Sequence, residues 1–102
     1  MSAVERRLVT IFAEPVLKER LIADLQRLGA RGYSIGDVEG HGTRDRVTDW
    51  QGRKLRIETI VDAAAATRIL DMLANDYFAH YAVVACASTV EVVRGAKFNT
   101  TE

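Results

Sequence analysis

At 102 residues the chain has the length of one domain, which excludes a catalytic domain joined to a separate regulatory one. Hydrophobic residues at 48% and charged residues at 27% exclude wholesale disorder and a collagen-like or disulfide scaffold. The balance of 14 Lys and Arg against 14 Asp and Glu argues against a surface built throughout for nucleic acid. Cys86 is the only cysteine, so the chain reads as a reduced, cytoplasmic protein, and neither a signal core after Met1 nor a spanning run of about 20 apolar residues predicts membrane insertion.

In chain order, Arg7 to Ala13 is β-branched and aromatic and predicts a first strand that ends at Pro15. Pro15 suits a helix start, and Leu17, Leu21, Leu25 and Leu28 recur at helical spacing before the stop at Gly29. Tyr33 to Val38 reads as a second strand, with Tyr33, Ile35 and Asp37 on one face. From Glu39 to Arg53 the periodicity disappears and glycines fall at 40, 42 and 52, marking a loop of a length that is usually functional or disordered.

Lys54 to Val61 alternates polar with apolar residues, the pattern of a half-buried third strand. Asp62 is placed to cap a second helix, whose Ile69, Leu70, Leu73 and Tyr77 make the apolar face and which is expected to fray near Asn75. Tyr81 to Ala87 predicts a fourth strand and Val90 to Val93 a short fifth. The order β-α-β-loop-β-α-β predicts an α+β, ferredoxin-like split βαββαβ fold in a single domain over residues 1–102, an antiparallel sheet with two helices on one face. So small a domain buries only about two-thirds of its unfolded surface, and its sheet leaves edges and an apolar face, so self-association is expected.

The run Gly40-His41-Gly42-Thr43-Arg44-Asp45-Arg46 fits a small anion. Glycines let backbone amides approach closely, Thr43 offers a hydroxyl, and Arg44 and Arg46 supply fixed charge; a solvated hairpin loop is the competing reading. Arg94 and Lys97 form a second basic group that can join the loop only across the fold or across a subunit boundary. Asp37, Glu39 and His41 share a strand face if extension persists, but no metal site is expected from them. Cys86, between two alanines, reads as a small buried hydrophobe, and Tyr77, Phe78 and Tyr81 as core. No catalytic triad, carboxylate pair, Walker loop or dinucleotide fingerprint is present, so no enzyme and no catalytic cofactor is predicted. The third strand carries none of the aromatics that stack bases in RNA-recognition domains.

Gly29-Ala30-Arg31-Gly32-Tyr33-Ser34-Ile35 followed by Gly40-His41-Gly42-Thr43-Arg44 resembles the end of helix one, strand two and T-loop entrance of PII signalling proteins. Tyr77-Phe78-Ala79-His80-Tyr81-Ala82 and Val90-Glu91-Val92-Val93-Arg94-Gly95 continue the resemblance, which is to the PII-like subgroup tied to bicarbonate uptake and carboxysomes. It implies a non-catalytic homotrimer with adenine nucleotides in the clefts between subunits and a T-loop over about residues 39–53. Ser34, Gly40, His41, Gly42, Thr43 and Arg44 would line the cleft from one subunit, with Arg94 reaching the phosphates from the next. Thr43, Arg44 and Arg46 would hold bicarbonate.

The Gly-rich B-loop with its phosphate-binding lysine is missing and the T-loop has no tyrosine to modify. AMP or ADP is therefore favoured over ATP or cyclic AMP, with bicarbonate as second ligand and a bicarbonate transporter or carboxysome protein as partner. Two other classes share the fold: a trimeric metal-binding or structural ferredoxin-like protein, and a small acyl-phosphate hydrolase, whose Arg-ending glycine loop near strand one is absent.

Overall fold

Residues 2–41 and 52–94 are described by the computed structural model. The β-branched start of the chain forms β1, Val4–Ala13, which begins before the expected Arg7 because Val4, Glu5 and Arg6 find ladder partners in Val92, Glu91 and Val90. Pro15–Leu17 is a 3₁₀ turn rather than the first turn of the helix, and α1 follows as Lys18–Arg27. Leu17, Leu21 and Leu25 are buried as their spacing requires. The helix ends on Gly29 at φ +104°, where the Gly29 N–H donates to the Gln26 carbonyl and the Ala30 N–H to the Leu25 carbonyl at 2.9 Å. That pairing satisfies the last carbonyls and needs a left-handed residue, hence glycine.

β2 is Ser34–Glu39 and β3 is Arg53–Val61. The Asp62 side chain accepts from the Ala65 N–H at 2.8 Å and caps α2, Ala63–Asp76, which ends next to Asn75, where its end is expected. After it, His80 and Tyr81 both donate to the Tyr77 carbonyl, and the Val83 N–H to that of Tyr81, so residues 81–83 are a turn rather than strand.

The predicted fourth and fifth strands are one, β4, Val84–Val92. Ser88 and Thr89 do not interrupt it, because they pair with Leu8 and Arg7, and Arg7 Nη1 donates to Thr89 Oγ1 at 2.6 Å. The sheet order is β2-β3-β1-β4, with every neighbouring pair antiparallel. This is the expected split βαββαβ fold.

Val9, Ile11 and Ala13 of β1 and Leu55, Ile57 and Val61 of β3 face the helices and are buried. Burying each large aliphatic side chain contributes roughly 1.5–3 kcal/mol. Tyr77 closes the core at 0% exposure, its hydroxyl donating to Asp24 Oδ2 at 2.6 Å while the Arg20 guanidinium lies 4.4 Å over its ring. Burial and the Asp24 carboxylate push the Tyr77 phenol well above the ordinary tyrosine range.

The even-numbered residues of β1 and β4 lie on the other face, which no helix covers. Cys86 sits there opposite Thr10 and is exposed, so the expectation of a buried cysteine is corrected: two flanking alanines do not bury a residue on an edge strand's uncovered face. Of the aromatic group, Tyr77 is buried and Tyr81 packs against the core, whereas Phe78 is 37% exposed.

Candidate functional site

The long loop is closed at its root by the ladder itself. Glu39 pairs with Arg53, and beyond them the Gly40 N–H donates to the Gly52 carbonyl at 2.7 Å. Gly52 has φ +77°, so the returning chain reverses in the left-handed region. At Gly40 an added Cβ would meet the Lys54 side chain in ordinary contact, 3.6 Å from Cε and 3.7 Å from Cδ. The Lys54 stem thus lies across the loop root. His41 is exposed at the same place. The predicted anion residues Gly42, Thr43, Arg44 and Arg46 lie outside the described residues.

Arg94 lies at the opposite end of the sheet, and Ser34 stands between the two ends. Ser34 begins β2 and pairs with Glu58 in the middle of β3, level with Thr10 and Cys86, whereas Glu39 at the loop root pairs with Arg53 at the start of β3. Arg94 follows β4, whose last residue Val92 pairs with Val4 at the start of β1, and Arg7 of β1 pairs with Val61 at the end of β3. Six residues of strand between Ser34 and Gly40 span about 20 Å. One chain therefore holds Arg94 at one end of its sheet and Gly40 and His41 at the other, with Ser34 about midway between them.

Sequence reasoning misses the polar row beside Ser34. Ser34, Glu58, Thr10 and Cys86 stand opposite one another across all four strands on the uncovered face. Glu58 Oε2 accepts from Arg56 Nη2 at 3.2 Å and from Thr10 Oγ1 at 3.4 Å. The alternation of Lys54, Arg56 and Glu58 carries the signal, but by itself it reads as a solvated face. At the loop-root end, Glu14 Oε2 accepts from the Ala82 N–H at 2.8 Å and fastens the α2–β4 connection to the end of β1. Among the described residues no three His, Cys, Asp or Glu side chains are grouped to hold a metal, and no helix is long and apolar enough to cross a membrane.

The family model described as nitrogen regulatory protein P-II matches residues 6–97. Among solved structures, a protein from Thermus thermophilus described as PII-like and signalling is 48% identical, over 96% of this chain and 99% of that one, with a TM-score of 0.84. CPII from Thiomonas intermedia, a nitrogen regulatory PII-like protein bound to ADP, AMP and bicarbonate, is 20% identical over 96% of this chain and 97% of that one, with a TM-score of 0.83. Its apo form is 18% identical over 89% and 95%, with a TM-score of 0.73. At that distance the likeness shows the fold. No curated protein matches the chain. A family match spanning nearly the whole chain, together with a structural relative at 48% identity, establishes that this chain belongs to the P-II family.

Proposed function

We propose that the chain is a non-catalytic sensor that binds AMP or ADP in the clefts of a homotrimer. Bicarbonate is its second ligand, and its output passes to a bicarbonate transporter or a carboxysome protein. The observation that carries this reading is the separation of Arg94 from the Gly40 loop root by the length of the sheet. Arg94 cannot meet the Gly40 loop root within one chain, whereas two neighbouring copies can bring unlike ends together around one ligand. The complex of CPII with ADP, AMP and bicarbonate supports the choice of ligands.

In this reading Gly40, His41, Gly42, Thr43 and Arg44 line the cleft, Thr43, Arg44 and Arg46 hold the bicarbonate, and Arg94 of the adjacent copy approaches the phosphates. Glu58, at the same register as Ser34, joins the site as a hydrogen-bond acceptor for hydroxyl or amino groups of the nucleoside. Nucleotide shifts the loop only through a higher affinity for its ordered state. Calorimetric titration with AMP, ADP, ATP and cyclic AMP, each with and without bicarbonate, tests the reading. Binding of AMP or ADP at micromolar concentration supports it; trimerisation without binding of any nucleotide points instead to a structural protein on the same fold.

A further inference from the structure

The sheet face turned away from the helices carries Leu8, Phe12, Val84 and Val90 together with Arg6 and Glu58. Val84 is 65% exposed there. Four strands about 4.8 Å apart, of 10, 6, 9 and 9 residues, give a projected area of roughly 500 Å² before side-chain relief is added. That approaches the roughly 800 Å² of accessible surface each partner contributes to a standard interface. The face is apolar at several positions and carries both charge signs, the composition of a surface that packs against another copy of this chain.

One atom on this face is out of keeping with the rest. Arg6 Nε is buried and has no hydrogen-bond partner, the one such side-chain nitrogen or oxygen among the described residues. Native proteins leave few such groups. The same guanidinium is tied only locally, Nη1 donating to the carbonyl of its own neighbour Glu5 at 2.8 Å in an exposed contact. A bond of that kind exchanges readily with water, and lifting the side chain off the strand takes a rotamer change.

We propose that Arg6 is an inter-subunit anchor: in the assembled protein its side chain leaves its own strand, and Nε with a terminal nitrogen donates to a carboxylate of a second copy of this chain. The planar fork of an arginine suits that two-point contact, and a lysine does not reproduce it. The anchor rests on the homotrimer reading above, and the experiment separates the two.

Wild type, Arg6→Met and Arg6→Lys are followed by sedimentation over a dilution series, with circular dichroism to verify the fold. Arg6→Met keeps an apolar stem and removes every donor. The anchor is supported if wild type is oligomeric and Arg6→Met, with an unchanged spectrum, dissociates at a concentration at least tenfold higher. If Arg6→Met fails to fold, Arg6→Lys decides by the same tenfold criterion. An oligomeric wild type matched by the deciding variant overturns the anchor and leaves the homotrimer standing. A monomeric wild type at micromolar concentration overturns both.

Discussion

Replacing Gly52 by alanine strains the loop root at one defined torsion. At φ +77° an alanine Cβ crowds its own backbone at about 1–2 kcal/mol. The added carbon would lie 3.4 Å from the Gly40 carbonyl oxygen, at the edge of ordinary contact, so torsion rather than collision dominates. Alanine also restricts the unfolded chain, which returns about 0.4–1 kcal/mol. The net destabilisation is therefore about 1 kcal/mol.

Gly32 is the matched control. An added Cβ there meets nothing within 4 Å and its φ lies outside the left-handed region, so Gly32→Ala keeps the unfolded-state gain without the strain. The two variants should differ by about 1.5 kcal/mol. With a urea m-value of about 1–3 kcal/mol/M, that is a midpoint separation of about 0.5–1.5 M at fixed protein concentration. Coincident unfolding curves, or a Gly52→Ala protein more stable than Gly32→Ala, would refute the torsional account of the loop root.

Arg44→Ala should weaken nucleotide binding by more than about 1.5 kcal/mol, the scale of one charge-assisted hydrogen bond, and leave ligand-free stability nearly unchanged; an unaltered calorimetric isotherm removes Arg44 from the site. Tyr77→Phe loses the bond to Asp24 and should lower stability by about 1–2 kcal/mol. Because the folded state raises the Tyr77 pKa, its contribution is intact below the unfolded value of about 10 and is lost as pH rises through the folded value. Wild type should therefore lose stability above about pH 10 more steeply than Tyr77→Phe in urea titrations, and equal slopes would contradict the assignment. Asp62→Ala removes the cap of α2 and should cost about 1 kcal/mol, read from the same titrations.

The elements most legible in the sequence are those with a periodic signal that no partner strand can override. The leucine spacing places α1, Asp62 marks the start of α2, and alternation finds β3. The continuity of β4 is hidden because Ser88 and Thr89 look like a break until Leu8 and Arg7 are seen beside them. Cys86 misleads for a related reason: whether a strand residue is covered depends on the side of the sheet the helices choose, which no local pattern near residue 86 encodes. The loop-root glycines are visible as glycines, but the pairing of Gly40 with Gly52 and the Lys54 stem across them belong to the fold. Glu58 is overlooked because a charge on an alternating strand looks solvated until its register partner Ser34 is known.

The position of β1 between β3 and β4 has a consequence for synthesis. Its partner Thr89 stands 82 residues away from Arg7, and its other partner Val61 also arrives late in the chain. Until then both backbone edges of the first strand are unpaired, and the chain has no local hairpin in which to place them. Such long-range pairing slows folding relative to helical domains of the same size. It also leaves an aggregation-prone template exposed on the nascent chain, so the burden of chaperoning falls on the stretch of translation between β1 and β4.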